Sequence, residues 1–219
     1  MGKKVGVLLS GCGVYDGAEI HESVLTLLFL DRAGAEIVCM APDTPQHHVI
    51  NHLTGKEMDE SRNVLVESAR IARGAIQDVK VVQAADLDAL IVPGGFGAAK
   101  NLSDFAFKGA EAVVHPEVAR LVQEIVAAGK PLGAICIAPA PLTKALSGKA
   151  PEVTIGSDPD TAAAITAMGG THIDCKVEMI HVDQKNRLVT TPAYMLGPGI
   201  KEVARGIEKL VRQIMAMLD

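Results

Sequence analysis

Cys136 and Glu22 are the residues of this sequence whose type and setting suit covalent chemistry. Cys136 lies in P-L-G-A-I-C-I-A-P-A-P-L, residues 131–142. Pro131 to Ile135 is a short apolar run entered from Gly129-Lys130, which reads as a buried strand. A helical pattern follows from Ile137. The thiol therefore stands where a strand turns into a helix, with small residues, Ala134 and Ala138, two positions away on either side. A nucleophile elbow needs that arrangement, because the chain turns sharply and flanking side chains must not collide. A helix that starts there directs its N–H groups and positive end at the sulfur, which favours thiolate. The same stretch also fits a buried, inert thiol, since cysteine is among the most buried residue types.

Glu22 falls in the first helical pattern, just after the loop that follows the first strand, with Glu19 one turn earlier on about the same face. A glutamate at a helix start commonly serves as a cap or dipole partner. A loop facing the elbow adds a functional reading. Pro93-Gly94-Gly95-Phe96-Gly97 follows another strand and contains neither G-x-x-x-x-G-K-[ST] nor G-x-G-x-x-G, so a phosphate cradle is not indicated. Glycine amides there can approach a developing oxyanion, and the N–H groups of Gly95 and Ile137 form the natural pair. His115-Pro116-Glu117 suggests part of a cysteine triad but opens a helix with proline in its first turn, and reads as a cap. His47, His48 and His52 share one loop without a specific metal spacing and read as substrate-facing or solvated, and no metal is expected. Cys12, in the first glycine-rich loop, is a second candidate reactive thiol.

The rest of the chain must position these groups. It has 219 residues, 48% of them apolar, a length and composition suited to one α/β domain, residues 1–219, with a sizeable core. Tryptophan is absent and aromatics make up 3%, which argues against base-stacking platforms, and the net charge of -5 argues against a nucleic-acid partner. The apolar run Val24 to Leu30 is too short to cross a bilayer. Met1-Gly2-Lys3-Lys4 leads into a brief apolar stretch that reads as a first strand and not as a signal peptide. Four widely spaced cysteines (Cys12, Cys39, Cys136, Cys175) form no C-x-x-C pair, which fits a reducing, cytoplasmic compartment. Cys39 and Cys175 read as strand-packing residues.

Periodicity predicts strands at Lys4–Leu9, Ala35–Met40, Leu90–Val92, Pro131–Ile135 and Val153–Ile155. It predicts helices at Glu19–Ala33, Ser61–Arg73, His115–Ala128, Asp158–Met168 and Gly199–Leu218. Val177–Thr191 reads as a hairpin turning at Asp183 to Arg187. The opening β-α-β unit implies a parallel, doubly wound sheet with helices on both faces. In such sheets ligands sit outside the carboxyl ends of the strands, where the loops at Gly11, Gly94 and Cys136 would gather.

These stretches resemble the ThiJ/PfpI group of the class I glutamine-amidotransferase-like superfamily, and within it the ElbB glyoxalases. The carriers are S-G-C-G-V-Y-D-G-A-E-I-H-E (10–22), V-I-N-H-L-T-G (49–55), R-N-V-L-V-E-S-A-R-I-A-R-G (62–74) and D-A-L-I-V-P-G-G-F-G-A-A-K-N-L-S (88–103), then the elbow, V-T-I-G-S-D (153–158) and V-T-T-P-A-Y-M-L (189–196). The resemblance implies a flavodoxin-like three-layer α/β sandwich with a mostly parallel sheet, present as a homodimer. It matches Cys136 to the elbow nucleophile, Glu22 to its partner carboxylate, and Gly95 and Ile137 to the oxyanion donors. Cys12, Asn51 and His52 are candidate substrate contacts. Where many members carry a histidine after the elbow, this chain reads Ile155-Gly156-Ser157-Asp158, so amidase chemistry lacks its usual base. The implied activity is cofactor-independent conversion of glyoxal, a small reactive aldehyde, to glycolate. A non-enzymatic redox-sensing or chaperone-like dimer with a reactive cysteine, and a cysteine hydrolase or amidotransferase-like subunit, are the alternatives.

Overall fold

The computed structural model describes residues 2–218. In chain order its elements are β1 (Lys4–Leu8), α1 (Ile20–Arg32), β2 (Glu36–Ala41), β3 (Ile50–Asn51), β4 (Lys56–Glu57), α2 (Val64–Ile71), β5 (Ile76–Asp78), β6 (Ala89–Val92), α3 (Phe96–Lys100), α4 (Phe105–Lys108), α5 (Pro116–Ala127), β7 (Leu132–Ile135), α6 (Pro139–Ala145), β8 (Glu152–Val153), α7 (Pro159–Ala167), β9 (Thr171–His172), β10 (His181–Asp183), β11 (Leu188–Thr191) and α8 (Ile200–Ala216). Seven strands form one sheet in the order β10-β11-β7-β6-β1-β2-β5. All neighbours pair in parallel except the β10–β11 hairpin at the edge.

Period-2 alternation divides the strand side chains between two cores. Leu8, Leu90, Val92, Leu132 and Ala134 face the core closed by α5, α6 and α7. Val5, Val7, Ala89, Ile91 and Ile135 face the core closed by α1, α2 and α8. The result is the expected flavodoxin-like three-layer sandwich. Strand order reverses between β1 and β6, and the loops after β1, β6 and β7 meet at that point, where doubly wound sheets carry their sites.

Several boundaries differ from the periodic reading, each for a local reason. The helix expected from Ser61 begins at Val64, because the Asn63 side chain accepts from Val66 N at 3.0 Å and caps the helix there. The hairpin is present with arms His181–Asp183 and Leu188–Thr191. Asp183 holds its turn by accepting from Asn186 N and Nδ2, at 3.0 and 2.6 Å. The strand expected at 153–155 stops at Val153 and pairs with β9 in a separate two-stranded sheet. Cys39 packs in β2 as expected, but Cys175 lies in irregular chain after β9, partly exposed.

The longest helix, α8, sets the back of the site. Val203, Ile207, Leu210, Val211 and Ile214 make its buried stripe. At Gly206 the helix backbone comes so close that an added Cβ would lie 2.5 Å from the Val177 carbonyl oxygen and 2.6 Å from Thr191 Oγ1. Thr191 in turn accepts the backbone N–H of Cys136 at 2.9 Å. Alanine normally gains about 1 kcal/mol over glycine inside a helix. Here Gly206→Ala is expected to lower the melting temperature by several degrees, since backbone must move to admit the methyl group. A thermal melt showing the variant more stable than wild type would contradict this packing.

Candidate active site

The site is built from four chain reversals at the carboxyl edge of the sheet, after β1, β6, β7 and β11. Cys136 follows β7 with φ of 62°, a left-handed conformation that costs a non-glycine residue energy and that marks a strained elbow. Its N–H is anchored on Thr191, and Ala138 N closes the turn on Ile135 O at 3.0 Å. The N–H groups of Gly95 and Ile137 lie close enough to the Cys136 sulfur to favour its thiolate. Only 7% of Cys136 is exposed.

Glu22 reaches the same point from the first turn of α1 and is fully buried. Its Oε2 accepts from Gly94 N at 2.9 Å and its Oε1 from Tyr194 N at 3.3 Å, and the Cys136 thiol lies beside the carboxyl. Gly94 cannot carry a side chain: a Cβ there would lie 2.4 Å from Cys136 Cβ and 2.7 Å from Glu22 Oε2. Glu19 does the capping that a helix-start glutamate ordinarily does. Its Oε2 accepts the Glu22 N–H at 2.7 Å, while its own N–H donates to the Gly94 carbonyl at 2.9 Å. The two glutamates thus divide the roles that sequence alone could not assign. Ala193, a second strained non-glycine residue with φ of 44°, turns the chain after β11 and aims the Tyr194 N–H at Glu22.

Burial pushes the Glu22 carboxyl up to about 8, helped by the nearby Glu19 charge and opposed by the amides of Tyr194 and Gly94 and by the thiol. Burial and the Glu22 charge push the Cys136 thiol up as well, against the pull of the Gly95 and Ile137 amides. The expected depression by the helix N-terminus is therefore outweighed. At neutral pH the resting pair keeps both protons, and losing one gives a shared-proton state in which either group can be the anion.

An open cavity of about 330 Å³ leads to the thiol, lined by Val14, Glu19, Gly95, Phe96, Ile137, Asp158, Thr161, Tyr194 and Met195. Of the residues singled out from sequence, the structure brings Cys136, Glu22, Gly95 and Ile137 together. It does not bring Cys12, Asn51 or His52 to this cavity lining. Asn51 Oδ1 accepts from Leu53 N at 3.0 Å, forming the β3–β4 turn. His52 stacks on Tyr15 and bonds Tyr15 N and Ile50 O. Cys12 lies toward Glu67 and Arg70, and burial raises its pKa. The Ile155–Asp158 segment puts no histidine in the cavity. His172 sits behind it, accepting from Ile155 N at 3.4 Å. Asp158, Thr161, Tyr194 and Met195 were not anticipated; the only signal was the quoted similarity of the stretches around Asp158, Tyr194 and Met195.

A parallel α/β sandwich carrying a strained cysteine elbow against a buried carboxyl defines a class, and comparison supplies the family. The DJ-1/PfpI family model matches residues 7–194, and the chain belongs to that family. It is 49% identical over 98% of its length to human "Glutamine amidotransferase-like class 1 domain-containing protein 3, mitochondrial", covering 83% of that protein. It is 31% identical to zebrafish "ES1 protein, mitochondrial", with 97% and 85% of the two chains covered. A solved structure from Ehrlichia chaffeensis, an isoprenoid biosynthesis protein with amidotransferase-like domain, superposes with a TM-score of 0.93 at 38% identity, covering 99% of this chain and 100% of that one. Drosophila DJ-1beta shares the fold, with a TM-score of 0.56 at 20% identity. The mitochondrial names of the human and zebrafish proteins overturn the cytoplasmic expectation. Unpaired cysteines report a reducing environment and carry no address. No helix among the described residues is long and apolar enough to cross a membrane.

The raised Glu22 makes a stability prediction. Its folded pKa lies above the ordinary value of 4.5, so between pH 4.5 and about 8 the unfolded chain holds fewer protons and stability falls as pH rises. The loss is on the order of 3 kcal/mol at pH 7, from 1.4 kcal/mol per unit. Glu22→Gln removes the titrating group. Denaturant melts should show the variant gaining on wild type steadily from pH 5 to pH 8. A constant difference across that range would mean that Glu22 is not buried in its neutral form.

Proposed function

We propose that this protein is a glutathione-independent glyoxalase of the ElbB kind, converting glyoxal to glycolate. The observation that carries the reading is a cysteine held in a strained elbow against a carboxyl that burial keeps protonated up to about pH 8. A thiol that must attack an aldehyde needs a nearby base, and the next step needs a group that moves a proton between adjacent carbons. One carboxyl with a pKa near neutrality can do both.

In the proposed sequence the thiol proton passes to Glu22 as sulfur bonds to one aldehyde carbon, and Glu22 returns it to the new alkoxide. In this sequence the Gly95 and Ile137 amides hold that oxygen while it carries charge. Glu22 then removes the proton from the carbon bearing sulfur, and the electron pair moves to the neighbouring carbonyl to give an enediol. Returning that proton to the second carbon, while the hydroxyl proton of the first carbon passes to the second oxygen, leaves a thioester to Cys136. Water adds to it, the thiol leaves, and glycolate is released. One carbon is oxidised and the other reduced, so no external oxidant or reductant enters.

Amide hydrolysis is disfavoured, because the cavity lining holds no histidine to protonate a leaving amine. A peroxide-sensing role is disfavoured by burial of a thiol whose pKa is raised, since sensor thiols are accessible and acidic.

Cys136→Ser should abolish glyoxal consumption with the circular dichroism unchanged. Glu22→Gln should lower turnover at least about a hundredfold, the usual scale of general acid–base help. Iodoacetamide alkylation of Cys136 at pH 8 should be no slower in Glu22→Gln, because a neighbouring negative charge is gone. Wild-type kcat/KM should rise with pH and level off once the pair has lost one proton, at about pH 8. Full turnover in a folded Cys136→Ser protein, or ammonia release from glutamine that depends on Cys136, overturns the reading.

A further inference from the structure

We infer that the mouth of the Cys136 cavity selects carbonyl compounds without negative charge, with Asp158 as the specificity-determining residue. The inference deepens the proposed function and rests on Cys136 being the nucleophile. Of the residues lining the cavity, Glu19 and Asp158 carry carboxyl groups and none is Lys, Arg or His. Glu22, behind the sulfur, keeps its proton below about pH 8 and adds no charge at neutral pH.

The basic side chains nearby stand outside the cavity lining. Lys100 Nζ donates to Tyr15 O at 2.9 Å and stands over the Phe96 ring. His21 Nδ1 is bonded to Tyr194 Oη at 2.8 Å. The positive end of α7 opens toward the cavity, but Asp158 caps it, its Oδ1 accepting from Thr161 N at 2.8 Å. That helix end is therefore already paired with a negative charge and offers no anion site. Hydrogen bonds from Thr161 hold the Asp158 carboxyl below the usual range, so it is charged at every pH at which the pair could act.

Glyoxal is neutral and glycolate is an anion. The same carboxylates that admit the substrate therefore repel the product, and carbonyl compounds bearing a carboxylate of their own are disfavoured. Neutral α-oxoaldehydes and those with a cationic substituent remain. Asp158 is exposed, so its unit charge is partly screened and is expected to change relative rates roughly threefold at low salt.

The test measures Cys136 modification by two methanethiosulfonate reagents of similar reach, trimethylammonioethyl (cationic) and sulfonatoethyl (anionic). Each transfers its alkylthio group to sulfur and expels methanesulfinate. Site-resolved mass spectrometry reads Cys136 apart from Cys12 and Cys175, and rates are divided by those of 2-mercaptoethanol. The expected cation-to-anion ratio exceeds the free-thiol ratio by roughly threefold or more at low salt and shrinks in high salt. Asp158→Asn keeps a helix cap but removes the charge, so the ratio should fall severalfold. Asp158→Ser, another neutral cap, serves if the asparagine variant does not fold. A ratio equal to that of the free thiol, or one that neither neutral variant changes, overturns the inference. A parallel arm compares turnover of phenylglyoxals with cationic and anionic ring substituents. Turnover without charge preference overturns the inference and leaves the glyoxalase reading intact. Charge-selective modification with no turnover of any α-oxoaldehyde supports the inference and defeats the glyoxalase reading.

Discussion

The site depends on keeping one carboxyl out of water. Glu22 has no exposed surface, and its two oxygens meet two backbone N–H groups and a thiol. Removing an ionised carboxylate from solvent is costly, and the structure lessens that cost by letting the group stay protonated. Proton sharing with Cys136 is then a consequence of packing. Other features of the edge serve that contact. Gly94 has no side chain because Glu22 and Cys136 occupy the space. Glu19 caps α1 so that Glu22 starts its turn in the right place.

Strain is held in place from several directions. The positive φ angles of Cys136 and Ala193 occur at the ends of adjacent parallel strands, β7 and β11, whose register pairs Ile135 with Thr191. Thr191 anchors Cys136, and α8 packs its backbone onto Thr191 at Gly206. A distant helix thus helps keep the elbow turned. Such over-determination is what strained residues at functional sites require.

Much of this architecture is legible in the sequence, because continuous apolar runs closed by glycine or proline mark buried parallel strands. Pro93-Gly94-Gly95 and the Pro131 run with Cys136 are of this kind, and both fall where the sheet order reverses. Ile76–Asp78 was missed because an edge strand of three half-exposed residues has no pattern to show. Within the site, spacing brought out Glu22 and Cys136 but could not separate Glu22 from Glu19, since both sit in one helical turn. Tyr194 contributes through its backbone N–H, which no side-chain pattern reports. The V-I-N-H-L-T-G stretch offered polar side chains to a substrate, yet Asn51 spends its hydrogen bond within its own turn and His52 spends its bonds on Ile50 O and the first loop at Tyr15 N. The direction of the Cys136 shift was misjudged for a related reason: a helix N-terminus is visible in sequence, whereas the depth of burial is not.

The central claim is that Glu22 is a neutral acid at neutral pH and shares its proton with Cys136. Carbon-13 NMR of protein labelled at the glutamate carboxyl carbons tests it directly, with Glu22→Gln assigning the resonance. One carboxyl should titrate alone, with a midpoint near about 8, and that midpoint should move when Cys136 is replaced by serine. If the Glu22 resonance instead titrates near the ordinary value of 4.5, the carboxyl is an ordinary anion and the shared-proton account is wrong.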